Sequence, residues 1–463
     1  MRRPASLVLG VALLAGVCVA GSNSVAAANS NSGSSGLRST PADSSGQVWV
    51  RRYNGPGNGQ DIAAALRVSP DGSHIYVTGK SWGGSPSSGG TGQDFATIAY
   101  KPGGYAYWVR RFNGPANGAD AATAVTAAPG RVYVTGWSTG TGTGQDFETL
   151  AYTSSGTPLW QQRYDGPASG DDQATAIAVS SDGSQVFVSG PAIGTGGAQV
   201  YETIAYGQDG TELWSASLGP GTGAHSYVTV SPDGSRVYVT AQTGGSAFLT
   251  AAYDAATGTE VWTNTYQPSS DEASSNAIAV SNDGSRVIVS GDGCSECDMG
   301  PTENGVLLAY AKDGSLLWHS ENEGVDFYTM ALSPDSKVVY AGGQIGLSCP
   351  DTFAFGALTG TLRWERSHCG DVPNGGGWDT AIVAGPNGGN VFALASTYSS
   401  FLTLRYTTAG TFVWARSFNG PGRGYESATS IGVSPDGSQV YVTGGDPGLH
   451  SKDDFATIAY SAA

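Results

Sequence analysis

The chain has 463 residues, 39% of them hydrophobic and only 13% charged, and it contains 70 Gly and 22 Pro. It is long enough to bury a large core, and no stretch keeps a helix-period apolar face over three or more turns, which excludes a helical fold and points to many short strands joined by tight turns. The formal charge of −16 makes a surface that repels a duplex or an anionic membrane, so no nucleic-acid partner is expected.

Residues 1–28 read as a signal peptide. Arg2 and Arg3 form the positive start, residues 7–20 the apolar core, and Ser24-Val25-Ala26-Ala27-Ala28 a small-residue cleavage site. The apolar run is too short to span a bilayer, no later segment reaches transmembrane length, and secretion to the extracellular side is the expectation. Cleavage removes two positive charges and no negative ones, which takes the formal charge from −16 to −18. Acidity of this kind keeps an exported, Gly-rich protein soluble. Residues 29–46 are Ser-, Gly- and Asn-rich and read as a disordered linker.

From residue 47 to 463 one pattern recurs. Trp49, Trp108, Trp160, Trp214, Trp262, Trp318, Trp364 and Trp414 stand about 52 residues apart, a period typical of propeller blades. Each unit opens with an alternating run such as residues 174–179 and turns through Ser-Pro-Asp-Gly-Ser, as at residues 69–73, 231–235 and 434–438. Pro presets φ, Asp caps the turn and Gly takes the left-handed position. A second strand follows (75–79, 132–136, 237–241, 440–444), then a longer Gly/Ser loop and a third strand (95–100, 147–152, 455–460). A short Gly turn leads to the fourth strand, which carries the Trp. Units six and seven depart most, with their third and second strands expected at 353–358 and 391–395. The first recognisable strand, at Trp49, is a fourth strand and the last is a third. The N-terminal strand must therefore complete the last blade. The expectation is all-β: an eight-bladed propeller of four-stranded blades, closed without open edges and monomeric.

The junction Ala252-Tyr253-Asp254-Ala255-Ala256-Thr257-Gly258-Thr259-Glu260-Val261-Trp262 resembles the tryptophan-docking motif of the quinoprotein alcohol dehydrogenase-like propellers. Residues 354–364 are similar with Gly356 at the acidic place, while 151–160, 205–214 and 309–318 are one residue shorter and lack the Asp. Over residues 47–460 the chain is similar to exported bacterial PQQ-like or SBBP-type β-propeller repeat proteins. That resemblance implies a Trp packed between adjacent blades; it implies no particular activity.

Strands alternate in direction, so the second-to-third-strand loops and the blade-to-blade connections share one face. Long loops on a rigid scaffold are the usual place for binding. Trp82, Trp137 and Trp378 map there, with His225, His368 and His450. Exposed aromatic rings suit sugars or extended peptides. Asp61, Asp120, Asp172 and Asp379 precede first strands near the central channel, as do Asp326 and Glu426. Carboxylates so placed offer the oxygen ligands Ca²⁺ favours, or they accept backbone N–H bonds at strand starts. No other cofactor is indicated.

Four cysteines remain after cleavage and allow three pairings. An exported chain favours disulfides, and Cys294-Ser295-Glu296-Cys297 lacks the partners of a zinc site. Cys349 and Cys369 lie on the long-loop face of neighbouring connections, which favours their pairing and leaves Cys294 with Cys297. The sequence thus reads as a secreted, non-enzymatic binding or scaffold module for a glycan or protein partner. The alternative is a propeller enzyme, a hydrolase or lyase using those histidines or a quinone-dependent dehydrogenase. No adjacent cysteine pair, nucleophile elbow or phosphate loop supports it.

Overall fold

A computed structural model of the chain describes residues 38–40, 46–85, 89–244, 247–270, 272–295, 302–345, 349–368, 377–397, 399–422, 424–449 and 451–463. These form eight antiparallel sheets, seven of four strands and one of five. Blade 1 consists of Ile62–Val68, Ile75–Trp82, Gln93–Tyr100 and Ala106–Phe112. Blades 2 to 7 span 120–164, 176–218, 221–266, 272–323, 325–367 and 377–418. Blade 8 takes Ser427–Val433, Gln439–Pro447 and Asp453–Ser461 from the C-terminus and Gln47–Tyr53 from the N-terminus.

The seam lies where the sequence placed it. Gln47–Tyr53 pairs with the last strand from Tyr53 opposite Phe455 to Gln47 opposite Tyr460. Blade 8 meets blade 1 through Thr429, which donates to the Ala63 carbonyl at 2.9 Å, and Ser430, which accepts from the Leu66 N–H at 3.1 Å. A fifth strand lies outside the last blade: Arg38–Thr40 pairs with the N-terminal strand, Thr40 opposite Val50. Part of the segment expected as linker therefore has a place in the sheet, because the outer edge of a fourth strand still offers free backbone groups.

The second and third strands are buried nearly end to end and form the core between blades, while each fourth strand faces outward. Second strands run about one turn of pleat farther than expected, to Trp82 and Thr139, so the connecting loops shrink to residues 83–92 and 140–144. The third strand of blade 6 begins earlier than expected, at Cys349. Six of the eight second strands carry a glycine at one place, where blades 4 and 7 have Ala241 and Ala395, and it has a packing reason. At Gly79 a Cβ would lie 2.1 Å from the Ile62 carbonyl oxygen, beside the bulge between Ala63 and Ala65. A residue without Cβ lets the first strand bulge that closely onto the second in this blade.

Each repeated Trp locks one blade to the next. Trp108 lies between Tyr76 of its own blade and Tyr152 of the next, both at 5.9 Å between centroids, and its Nε1–H donates to the Ser154 carbonyl at 2.9 Å. The same bond recurs from Trp49 to Pro102, Trp160 to Gln208, Trp214 to Ala255, Trp262 to Lys312, Trp318 to Ala357 and Trp364 to Thr408. Two residues on, a donor reaches the neighbouring turn again: Arg51 to Gly104, Arg110 to Gly156, Gln162 to Gly210, Asn264 to Gly314 and Arg366 to Gly410. An indole, a buried aromatic neighbour and a satisfied N–H make a strong non-covalent clasp.

Candidate functional site

The long-loop face is built by repeated acidic staples. Asp61 accepts the Gly55 N–H at 2.7 Å and the Trp82 N–H at 2.8 Å; Asp120 accepts from Gly114 and Thr139 at 2.6 and 3.0 Å; Asp172 accepts from Gly166 and Ile193 at 2.6 and 2.7 Å. Glu426 takes the corresponding bond from Gly420 at 2.5 Å. All four carboxylates are buried; those of Asp61, Asp120 and Asp172 hold a Gly-Pro connection against the second-strand end, and that of Glu426 holds the Gly420-Pro421 connection. Burial pushes the carboxyls up, Asp61 to about 8 and Asp120 to about 6, against the pull of those N–H groups.

The registers separate Asp326 and Asp379 from this set. The first-strand residue opposite the second-strand glycine or alanine is Ala63, Ala122, Ala428 and, in blade 7, Asp379 itself, opposite Ala395. Asp61, Asp120 and Glu426 stand two residues earlier. The reason lies in the neighbouring blade. Elsewhere a hydroxyl pair links second and third strands, as in Thr78 with Thr97 at 2.9 Å and Thr443 with Thr457 at 3.1 Å. Blade 6 has Gly342 opposite Thr352, and the Asp379 carboxylate fills that space, accepting the Thr352 hydroxyl at 2.9 Å. Complete burial raises its pKa well above the usual carboxylate range. Asp61, Asp120, Asp172 and Asp379 thus belong to four different blades and do not converge.

A second layer carries arginines. Arg111 pairs with Asp94, Arg163 with Asp146, and Arg52 with Asp446. Arg163 also faces Glu148 at 3.5 Å. Among the described residues one acidic group has the closeness of a metal site: oxygens of Asp146, Asp165 and Asp172 lie within 4.8 Å of one another. Asp165 was not singled out in the sequence. The signal was the substitution at the head of the Gly-Pro connection, where Asn54 and Asn113 become Asp165.

The aromatic candidates fare unequally. Trp137 is 8% exposed and lies within the blade 2 sheet opposite Phe147. Trp82 is half-buried and its indole covers Gly57 and Gly59. Trp378 is half-buried and stacks on Tyr425 at 6.4 Å and 28°, with Tyr425 itself 44% exposed. That pair bridges the start of blade 7 and the approach to blade 8. His225 stands in the innermost strand of blade 4, where burial lowers its pKa to about 4. His368 packs on Tyr406 at 5.5 Å and Phe412 at 4.8 Å. His450, Cys297 and Cys369 lie outside the described residues, as does the side chain of Cys294. Cys349 opens its strand half-buried. The structure thus brings Trp378 to Tyr425 and places His225 and His368 in different blades.

Eight four-stranded blades, each clasped to the next by a docked tryptophan, define a PQQ-like β-propeller. Residues 201–454, more than half of the chain, match the family described as outer membrane protein assembly factor BamB, and the chain belongs to that family. Among solved structures it is similar to the Dos1 propeller, at 11% identity and a TM-score of 0.59 over 89% of this chain and 95% of that one. The C-terminal WD40 domain of Sif2 gives 10% and 0.57 over 86% and 96%. Quinohemoprotein alcohol dehydrogenase from Comamonas testosteroni gives 13% and 0.56 over 89% and 76%. These likenesses are of fold. No curated protein matches the sequence. No helix among the described residues is long and apolar enough to cross a membrane.

Proposed function

We propose that the chain is an exported, non-catalytic scaffold whose long-loop face binds a protein or glycan partner beside Trp378 and Tyr425. The observation that carries this reading is the stacked pair itself. It combines a half-buried indole with a 44% exposed phenol ring at the rim between blades 7 and 8. Rigid aromatic surface anchors a partner at little entropic cost. Family membership supports the same reading, since the family is described by an assembly factor rather than by an enzyme.

Export follows from the leader expected over residues 1–28, and it gives the four remaining cysteines an oxidising setting. In that setting Cys349 pairs with Cys369 and Cys294 with Cys297, which non-reducing peptide mapping of the secreted protein checks.

The binding reading is tested with residues 29–463 immobilised and exposed to a glycan array and to detergent-solubilised envelope proteins. A ligand retained by the native chain and lost in Trp378→Ala or Tyr425→Ala supports it. Retention that both variants share with the native chain moves the site elsewhere, and turnover of a substrate without any retained ligand overturns the reading.

A further inference from the structure

We propose that the junction between blades 2 and 3 binds one Ca²⁺ ion through the carboxylates of Asp146, Asp165 and Asp172. The site is independent of the rim around Trp378. Three chain segments meet there: Asp146 near the start of the third strand of blade 2, Asp165 just after its fourth, and Asp172 ahead of the first strand of blade 3. Their oxygens lie within 4.8 Å of one another. Ca²⁺ holds oxygens at about 2.3–2.6 Å and so tolerates a spread near 5 Å, whereas Mg²⁺ at about 2.0–2.1 Å needs a tighter group.

A second observation points to a cation. Asp146 is completely buried, yet its Oδ1 has no hydrogen-bond partner; Oδ2 takes the Arg163 guanidinium and the Thr143 hydroxyl, the latter at 2.8 Å. The pattern repeats in the two preceding junctions. There Asp94 and Asp454, also over nine-tenths buried, each leave Oδ1 without a partner. The buried carbonyl oxygens of Asn113 and Asn54 are likewise unmatched. Their amide nitrogens are committed to Asn117 and Asn58 at 2.7 Å, which fixes the carbonyls as acceptors. A buried acceptor left without a donor is costly unless something positive reaches it.

Where the connection reads Asn-Gly-Pro at residues 54–56, 113–115 and 419–421, the blade 2–3 junction reads Asp165-Gly166-Pro167 and so adds a third carboxylate. Arg163 supplies one positive charge beside the three carboxylates of Asp146, Asp165 and Asp172. Asp172 gives both oxygens to backbone N–H groups, but each keeps a second lone pair for a metal. Asp165 is exposed and marks the path from solvent.

The test is titration calorimetry of CaCl₂ into the secreted chain stripped with EDTA, repeated on Asp165→Asn. That variant installs the residue the two preceding junctions carry, so the loop has a precedent for folding; Asp165→Ala is the second variant, and circular dichroism checks both. A one-site isotherm, weakened about tenfold or more in the variants, supports the proposal, as does a Ca²⁺-dependent rise in melting temperature that both variants lose. No heat and no melting shift at millimolar CaCl₂ overturns it, leaving water and protons as the occupants. Undiminished binding in both variants, or equal binding of MgCl₂, also overturns it.

Discussion

Trp414 donates its indole N–H to the carbonyl of Ala463, the last residue of the chain, at 3.2 Å. At the seven other junctions the acceptor belongs to a continuous turn. Here the acceptor follows the third strand of blade 8, Asp453–Ser461, while the fourth strand of that blade is Gln47–Tyr53. Arg416 completes the clasp on the Ser461 carbonyl at 2.5 Å and lies 4.0 Å over the Trp414 ring. Residues 461–463 thus clasp blade 7 to blade 8.

Removing residues 461–463 deletes both acceptors. A neutral hydrogen bond and one to a charged donor together contribute roughly 2–4 kcal/mol, so the truncated chain is expected to unfold at correspondingly lower urea concentration. Removing residues 29–45 takes away only the short outer strand, and a change within about 1 kcal/mol is expected. Equal losses from the two truncations would contradict this assignment.

The repeated tryptophans give a graded prediction. Trp108 is 7% exposed between Tyr76 and Tyr152. Trp108→Ala leaves a large cavity and is expected to cost about 3–5 kcal/mol. Trp108→Phe keeps most of the contact but leaves the Ser154 carbonyl unmatched, at about 1–3 kcal/mol. Urea unfolding of the two variants checks the order; equal losses would show that the hydrogen bond rather than packing holds the blades.

The blade number and the seam were legible because Trp, the Ser-Pro-Asp-Gly turn and the second-strand Gly recur in one phase. What the sequence hid came from places where packing, not period, decides. Cys349 and Pro350 conceal the start of a third strand, since neither is a strand former, yet both pair with the second strand at Ile345 and Gln344. Asp379 looked equivalent to Asp61 because each acid precedes an apolar run. Its true position depends on Gly342 of the preceding blade, a contact that no single unit encodes. Trp137 looked like a loop residue because its strand runs on past Gly136. The Trp378–Tyr425 pair was half legible: Trp378 broke the pattern, but its partner lies in the next connection.

Adjacent glycines separate conformation from composition. Gly104 has φ of +79°, and a Cβ there would lie 2.6 Å from the Trp49 ring, whereas a Cβ on Gly103 would meet nothing within 4 Å. Gly104→Ala is expected to destabilise by more than about 1 kcal/mol through φ strain and a displaced indole. Gly103→Ala is expected to be neutral or slightly stabilising. Thermal melts of the pair suffice, and matching shifts would rule out the docking contact as the cause.

Buried acids set the pH response. Burial pushes Glu148 up to about 8, with Arg163 only partly opposing it, and the carboxyls of Asp61 and Glu426 also rise to about 8. A carboxyl raised in the folded state binds its proton more tightly there than in the unfolded chain. Its contribution to stability is complete below the ordinary carboxylate range near 4 and is lost as pH climbs toward 8. The turn aspartates Asp71, Asp182 and Asp283 act the other way. Serine hydroxyls and N–H groups hold them down at about 2, so their contribution fades only below the ordinary range, and solvent screens it. Melting temperature is therefore expected to peak near pH 4–5 and fall toward pH 8.5. Glu148→Gln removes one of the groups responsible. It should match the native chain at pH 5 and melt higher at pH 8.5, whereas parallel curves would show that Glu148 is ionised throughout beside Arg163.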